Sequence, residues 1–476
     1  MSKTKNLQMV HMAISFAIMV LFRFLPTFSE VTVGGMQIFG CFVGALYGWM
    51  TVGLLWPSIL GLCMLAFADI TSMQEVFAMG FANENVILIF AMLFIAGFIS
   101  ELQLADWIVI KLTSNKRLQG HPYMLFSFWI LACYIISILT VSMVAAVLAV
   151  TFFRSIVKTA DAKPYTKANS AFLCGSGLAI GMGAICLPFK AATLIILSVY
   201  TTVVGGTIDY ASYMYCVFPS CTLVLVFYIL LCKFILRVDL SEFSKGIKPR
   251  TVAPLSKQQK VSLGFIFLLL CLFILPGILP SEWLFTVFLN RLTMPGICLA
   301  FIVLLMFIHV DQKPLLNFKD VSRHFSWDTY IFTVFCMPIC SLLTNDGTGI
   351  KETLSITIAP LTNIFPPTVL VIFLTLLAAL LTNFLNNMPV SIVFITLLCS
   401  TTTVLDGVNI YAASIAIMIA CYFAVMTPVA SGYNAIIFSA NDLIEIRGHM
   451  SFCIKAVTGI AIVLSCLIYP VSSLIL

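Results

Sequence analysis

Long apolar stretches, each closed by polar or charged residues, set the rhythm of this chain. They fall at 8–25, 35–50, 51–68, 85–102, 122–153, 168–204, 211–236, 261–278, 295–309, 328–344, 364–403, 408–443 and 451–475. The shorter ones approach the roughly 20 residues an α-helix needs to cross a hydrocarbon core about 30 Å thick. Four of them, at 122–153, 168–204, 364–403 and 408–443, exceed one crossing and carry polar or helix-breaking residues inside.

Basic residues orient the pattern. Lys3 and Lys5 open the chain. Lys111, Lys116 and Arg117 precede the stretch at 122–153, and Arg154, Lys158, Lys163 and Lys167 follow it. Seven basic residues lie between Lys233 and Lys260 against Asp239 and Glu242, and Lys313, Lys319 and Arg323 form another basic loop. Short basic loops stay on the cytoplasmic side. Asp69, Glu75 and Glu84 have no Lys or Arg among them and suit the outside. This places the N-terminus in the cytoplasm and the C-terminus outside.

The stretch 122–153 has basic loops at both ends, so one crossing would put one cluster on the wrong side. Two crossings would leave about 16 residues each, or about 24 Å. A re-entrant hairpin whose tip is buried in protein or faces water fits this arithmetic; two short tilted helices are the alternative. The stretch 364–403 mirrors it, with Asp346, Lys351, Glu352 and Asp406 at its flanks, and reads as a hairpin entering from outside. In each half, a helix, a hairpin, a long broken stretch and a full helix follow a helix pair. The predicted fold is therefore all-α and integral to the membrane, with about eleven transmembrane helices plus two re-entrant hairpins in two inverted-topology repeats. Residues 1–34 are an extra first helix. Residues 35–236 form the first repeat, with a scaffold pair at 35–68 and a transport part at 85–236. Residues 237–260 are a basic linker. Residues 261–476 form the second repeat, with a scaffold pair at 261–309 and a transport part at 328–476.

Composition agrees. Hydrophobic residues make up 61% of the 476 and charged ones 9%, with a mean hydropathy of +1.10. A soluble domain carries about 25% charged residues, so the surroundings of most of this chain are lipid. The 16 cysteines are scattered singly with no CxxC pair, which reads as helix packing rather than a disulfide or metal framework. The net charge of +6 is modest, and no nucleic-acid partner is expected. The run after Lys3 and Lys5 resembles a signal peptide but lacks a small-x-small cleavage site, so the first helix is expected to be retained.

Three places interrupt lipid-compatible helix. The second hairpin holds Thr382-Asn383-Phe384-Leu385-Asn386-Asn387-Met388-Pro389-Val390-Ser391, where asparagines before a proline supply carbonyls, amide donors and a new helix N-terminus. Such an N-terminus attracts anions, although Asn also serves plain helix–helix hydrogen bonding. The second broken stretch holds Thr427-Pro428-Val429-Ala430-Ser431-Gly432-Tyr433-Asn434, which could unwind and turn carbonyls toward a cation. A proline kink would explain Pro428 but not the polar cluster after it. The first repeat offers Thr140-Val141-Ser142-Met143 in its hairpin and Lys190 to Thr193 in its broken stretch. An ionisable side chain as deep as Lys190 is a functional candidate. It could snorkel to an interface, bind a substrate anion, or occupy the place where another carrier keeps a sodium ion.

These motifs resemble the divalent anion/sodium symporter family, within the ion transporter superfamily. That family carries Ser-Asn-Thr at both hairpin tips and a Pro-Pro-Asn-type loop in each broken helix. Asn386, Asn387 and Met388 match the second tip, and Ser431 to Asn434 match the second loop, with Gly432 and Tyr433 replacing the prolines. Val141-Ser142-Met143 stands at the first tip, and Lys190 to Thr193 at the first loop. The resemblance implies a homodimer in lipid that moves its hairpins and broken helices, elevator-like, against a scaffold. Its cargo would be small di- or tricarboxylates or sulfate, by sodium symport or anion exchange. It implies that substrate meets Ser142, Met143, Asn387, Met388, Pro389 and Lys190. Sodium would meet Asn386, Asn387, Thr427, Pro428, Ala430, Ser431 and Asn434. Because Met143 offers no hard oxygen ligand, Lys190 is a candidate fixed-charge replacement for a sodium ion.

An arsenite or sodium/proton carrier of the same superfamily is the nearest alternative. An enzyme is not expected, since no HExxH, GxSxG or paired intramembrane Asp occurs. No cofactor is implied beyond a coupling sodium ion.

Overall fold

The computed structural model describes residues 2–102, 104, 107, 108, 111, 118, 120–205, 210–244, 254–280, 282–362, 364–401, 405 and 407–475. Lys116, Arg117, Asp406 and the middle of the basic linker, 245–253, lie outside the described residues. What is described is almost wholly helical, apart from a two-residue ladder pairing His309–Val310 with Lys313–Pro314. Nine described helices are long and apolar enough to cross a membrane.

The element order repeats as the apolar pattern predicts. After the first helix, Ser2–Leu21, come Val33–Thr51, Leu55–Leu65 with Met73–Phe81, and Glu84–Glu101. The first hairpin has arms Pro122–Leu139 and Ser142–Ala160. The first broken helix is Lys167–Ile185 plus Ala191–Val204, and Tyr210–Leu230 closes the repeat. The second repeat follows with Lys257–Ile278, Leu284–Phe307 and Trp327–Leu343. Its hairpin arms are Pro367–Leu381 and Asn387–Ser400, its broken helix is Ile410–Cys421 plus Gly432–Phe438, and Ile446–Ile475 ends it.

Three bounds differ from the sequence reading. The stretch 51–68 holds only an 11-residue helix, Leu55–Leu65, and a second helix, Met73–Phe81, starts beyond it at a capping box between Ser72 and Glu75. The stretch at 295–309 belongs to a longer helix, Leu284–Phe307, interrupted where Thr293 adopts φ 55° ahead of Pro295. The arms of the first hairpin are 18 and 19 residues long rather than about 16, because the second arm continues through an amphipathic turn to Ala160. Arm length therefore does not exclude a crossing. The turn residue Thr140, buried inside the protein, marks the tip of a hairpin.

Segment ends sort by side as the charge pattern requires. Among those read as inner, the Arg154 guanidinium forks onto the Asp442 carboxylate at 2.7 and 2.8 Å. This pairing holds the Asp442 carboxyl below its ordinary range. His324 meets Glu101 at 2.6 Å, and the Lys163 amide donates to Glu242. Among those read as outer, Thr32 donates to the Gly347 carbonyl, the Glu30 amide to Thr353, and the Asn85 amide to Thr201. No described bond joins an inner end to an outer one among these pairs. At the centre of the packing lies Lys167–Ile185, surrounded by the first hairpin, Tyr210–Leu230, Gly432–Phe438 and Ile446–Ile475.

Candidate functional site

Both hairpin tips form where the chain leaves the helix and passes through extended backbone just before the second arm. Pro122–Leu139 stops because Thr140 and Val141 are extended, at φ −123° and −73°, and helix resumes at Ser142. In the second hairpin Asn386 is the extended residue, and its side chain accepts the Met388 amide at 3.1 Å. Pro389 falls in the first turn of the new helix, where a missing N–H costs nothing. The broken helices reopen in the same way. Lys190 is the extended residue before Ala191–Val204, and Ser431 the one before Gly432–Phe438.

These caps put the two repeats in register. Ser137 and Thr382 each lie five residues before the second arm of their hairpin, while Ile180 and Cys421 each lie ten residues before the cap of their broken helix. The Ser137 hydroxyl donates to the Ile180 carbonyl at 2.7 Å, and the Thr382 hydroxyl to the Cys421 carbonyl at 2.7 Å. One hydrogen bond thus recurs in both halves. In that register Val141-Ser142-Met143 matches Asn386-Asn387-Met388, and Lys190 to Thr193 matches Ser431 to Asn434.

The tips and breaks meet in one cavity of about 380 Å³. Thr140, Ser142, Met143 and Lys190 line it from the first repeat, and Asn386, Asn387, Met388, Ser431, Gly432 and Tyr433 from the second. Leu54, Ile99, Ile266 and Ser326, all near ends read as inner, also line it, so it extends toward the face with the basic loops. Two helices start here with no side chain capping them, at Val141 and at Lys190, which leaves first-turn N–H groups free to face the cavity. The helix starting at Asn387 is capped by Asn386, and its own first amide donates to the Ala430 carbonyl at 3.1 Å. No Asp or Glu is among the lining residues.

Not every predicted residue reaches the cavity. Pro389, Thr193, Thr427, Pro428, Ala430 and Asn434 are not among its lining residues, and all but Pro428 are buried. The Thr427 carbonyl accepts the Asn434 side-chain amide, and the Thr427 hydroxyl donates to the Asn383 carbonyl. The unwound carbonyls of Thr427 and Ala430 thus already hold protein donors. The Lys190 ammonium donates to the carbonyls of Ser137, Ile138 and Thr140, the last at 2.7 Å. Sequence reasoning passed over Asn383, although it sits in the same polar run. Its fully buried side chain accepts the amides of Val425 and Met426 and donates to Ala379, riveting the second tip to the second break. Met143 was seen as a lost ligand, but its thioether also packs against Gly432, where an added Cβ would lie 2.4 Å from its methyl carbon. Ser326 and Thr329 carried no motif that could have marked them.

The citrate transporter family matches residues 44–420. No curated protein matches the chain. Among solved structures, that of the Alcanivorax borkumensis YdaH transporter, described as having an unusual topology, superposes with a TM-score of 0.53. It is 14% identical, and 97% of each chain is covered, so the likeness is one of fold.

Proposed function

The chain belongs to the citrate transporter family and is a multi-pass membrane carrier; we propose that it moves small di- or tricarboxylates, or sulfate, by an elevator-type mechanism. The observation that carries this reading is the convergence of interrupted helices from both repeats on one cavity that holds a lysine and no carboxylate. Free first-turn N–H groups at Ser142 and Ala191 present partial positive charge. The hydroxyls of Thr140 and Ser142 and the amides of Asn386 and Asn387 add hydrogen-bond partners that can orient carboxylate groups. The rest of the lining is mostly apolar, with Leu54, Leu93, Ile266 and Leu269 beside Ser326 and Thr329, which suits a surface that the moving part slides past. A cavity reaching toward the face with the basic loops is what alternating access expects of one end state.

The same reading puts the N-terminus in the cytoplasm and the C-terminus outside, and takes the working unit as a homodimer. An arsenite carrier would share the fold. A sodium/proton exchanger would need a membrane carboxylate in the cavity, and the lining residues include none. The test is uptake of radiolabelled citrate, succinate and sulfate into proteoliposomes. Saturable uptake with counterflow is expected for at least one of them. Flux that never saturates and shows no counterflow would fit a channel and overturn the reading.

A further inference from the structure

The two repeats close the same tip-to-break junction with different chemistry. Both use the hydroxyl bond from Ser137 or Thr382. One residue further on, the second repeat has Asn383, whose side chain reaches the break with two accepted bonds. The first repeat has Ile138 there, which has no polar side-chain atom. It makes the connection from the opposite direction. Lys190, at the position where the second repeat has Ser431, sends its ammonium back to the carbonyls of Ser137, Ile138 and Thr140. An ammonium has three donors, and three acceptors are present. None is left for a substrate.

Those carbonyls gather for a physical reason. The end of Pro122–Leu139 leaves its last C=O groups without intrahelical partners and carries the negative end of the helix dipole. A group of convergent backbone oxygens is a seat for a small monovalent cation. We propose that the Lys190 ammonium fills that seat permanently, so that the first repeat takes no exchangeable sodium ion and the carrier works by trading one anion for another. This rests on the carrier reading above. The charge rides with the hairpin, and no lining Asp or Glu neutralises it. An empty site would drag an uncompensated positive charge through the bilayer, which is costly. A bound anion supplies the missing negative charge, so loaded movement is favoured over empty return. At the second break the Thr427 and Ala430 carbonyls each already accept one protein donor, from Asn434 and from the Asn387 amide, so neither offers both its lone pairs to a cation.

Two measurements test the idea. The first needs no transport: thermal unfolding of native protein and Lys190→Ser, each in sodium chloride and in choline chloride. Native protein is expected to be indifferent to sodium, and Lys190→Ser to be stabilised by it, since the vacated carbonyls become a binding site. A native protein stabilised by sodium, or a folded Lys190→Ser indifferent to it, would overturn the proposal. If Lys190→Ser does not fold, the native comparison decides alone. The second is uptake into sodium-free proteoliposomes with and without anion inside. Internal anion is expected to speed uptake at least about tenfold, with no gain on adding sodium. Sodium-dependent uptake into empty vesicles would overturn it. A failure to carry any anion would instead sink the carrier reading and leave the thermal comparison to judge Lys190.

Discussion

Helices Lys167–Ile185 and Ser2–Leu21 have nearly the same length and are both apolar enough to lie in lipid, yet they end in opposite environments. Every residue from Ala168 to Ile185 is buried. In the first helix, only Ser15 and Met19 are buried among the described side chains. Hydropathy does not separate them, because lipid and protein interior are equally apolar and no hydrophobic force drives one helix inside. Side-chain size does. Lys167–Ile185 holds Gly175, Gly177, Gly181 and Gly183 with four alanines, whereas the first helix has no glycine. Small residues let backbones approach until dispersion and hydrogen bonds bind them.

The largest effect is therefore expected where a methyl group would meet backbone. At Gly181 an added Cβ would lie 2.7 Å from the Tyr422 carbonyl oxygen and 2.8 Å from the Tyr433 hydroxyl. Neither is the free end of a flexible chain. Gly181→Ala has to push the second break away from the first broken helix, at a cost of about 1–3 kcal/mol for overpacking. Since Tyr422 and Tyr433 line the cavity, transport should fall further than stability. Unfolding midpoint and initial uptake rate, measured side by side, check this. A Gly181→Ala protein with native midpoint and native uptake would refute the packing argument.

A polar contact tests the same helix by another route. The Ser176 hydroxyl accepts the indole N–H of the fully buried Trp129 at 2.9 Å while donating to the Phe172 carbonyl at 2.8 Å. Ser176→Ala leaves that N–H without an acceptor, which costs roughly 1–3 kcal/mol for a buried donor. It does not touch the cavity, so uptake per folded molecule should hold. A loss of midpoint without loss of specific uptake is the expected split, and the reverse split would contradict it.

How much of this was legible beforehand depends on which kind of signal each feature left. The inverted repeat was readable from lysine and arginine placement, because Arg154, Lys163 and Lys167 at one end and Lys111 at the other forbid a single crossing of 122–153. The second hairpin tip was readable from Asn386, Asn387 and Pro389, which have no reason to interrupt a lipid-facing helix. Lys190 drew notice by depth alone, but nothing in the sequence said that its ammonium would turn to the carbonyls around Thr140 rather than to a ligand, since a backbone acceptor is not encoded by any residue type. The helix Met73–Phe81 and the break at Thr293 were missed because both lie outside the apolar stretches, in segments interrupted by Glu75 and by Asn290 and Arg291. Tertiary packing, not hydropathy, decided them. Asn383 was hidden by its neighbours. One of three asparagines in five positions is structural and two face the cavity, and only the register against Val425 and Met426 separates them.

The smallest expected effect comes from the bare helix, and it sharpens the contrast most. Where Ser2–Leu21 does touch protein, it lies on Gly40, Gly44 and Gly48 of Val33–Thr51, and the Ser15 hydroxyl donates to the Gly44 carbonyl at 2.7 Å. A Cβ on Gly44 would sit 2.4 Å from the Met19 Cγ and 2.9 Å from the Ser15 carbonyl oxygen. That is as crowded as Gly181, but the consequence differs. The first helix can tilt away and exchange its protein contacts for lipid, losing packing and two hydrogen bonds, the one from Ser15 and that between His11 and Tyr47, together on the order of 1–2 kcal/mol. Gly44→Ala should therefore keep native uptake and shift the midpoint less than Gly181→Ala does. Ile14→Ala, on the lipid-facing side where Ile14 is 39% exposed, should shift it least of all. If Gly44→Ala abolished uptake as Gly181→Ala does, the first helix would be part of the working core, and small residues would not be what distinguishes the two environments.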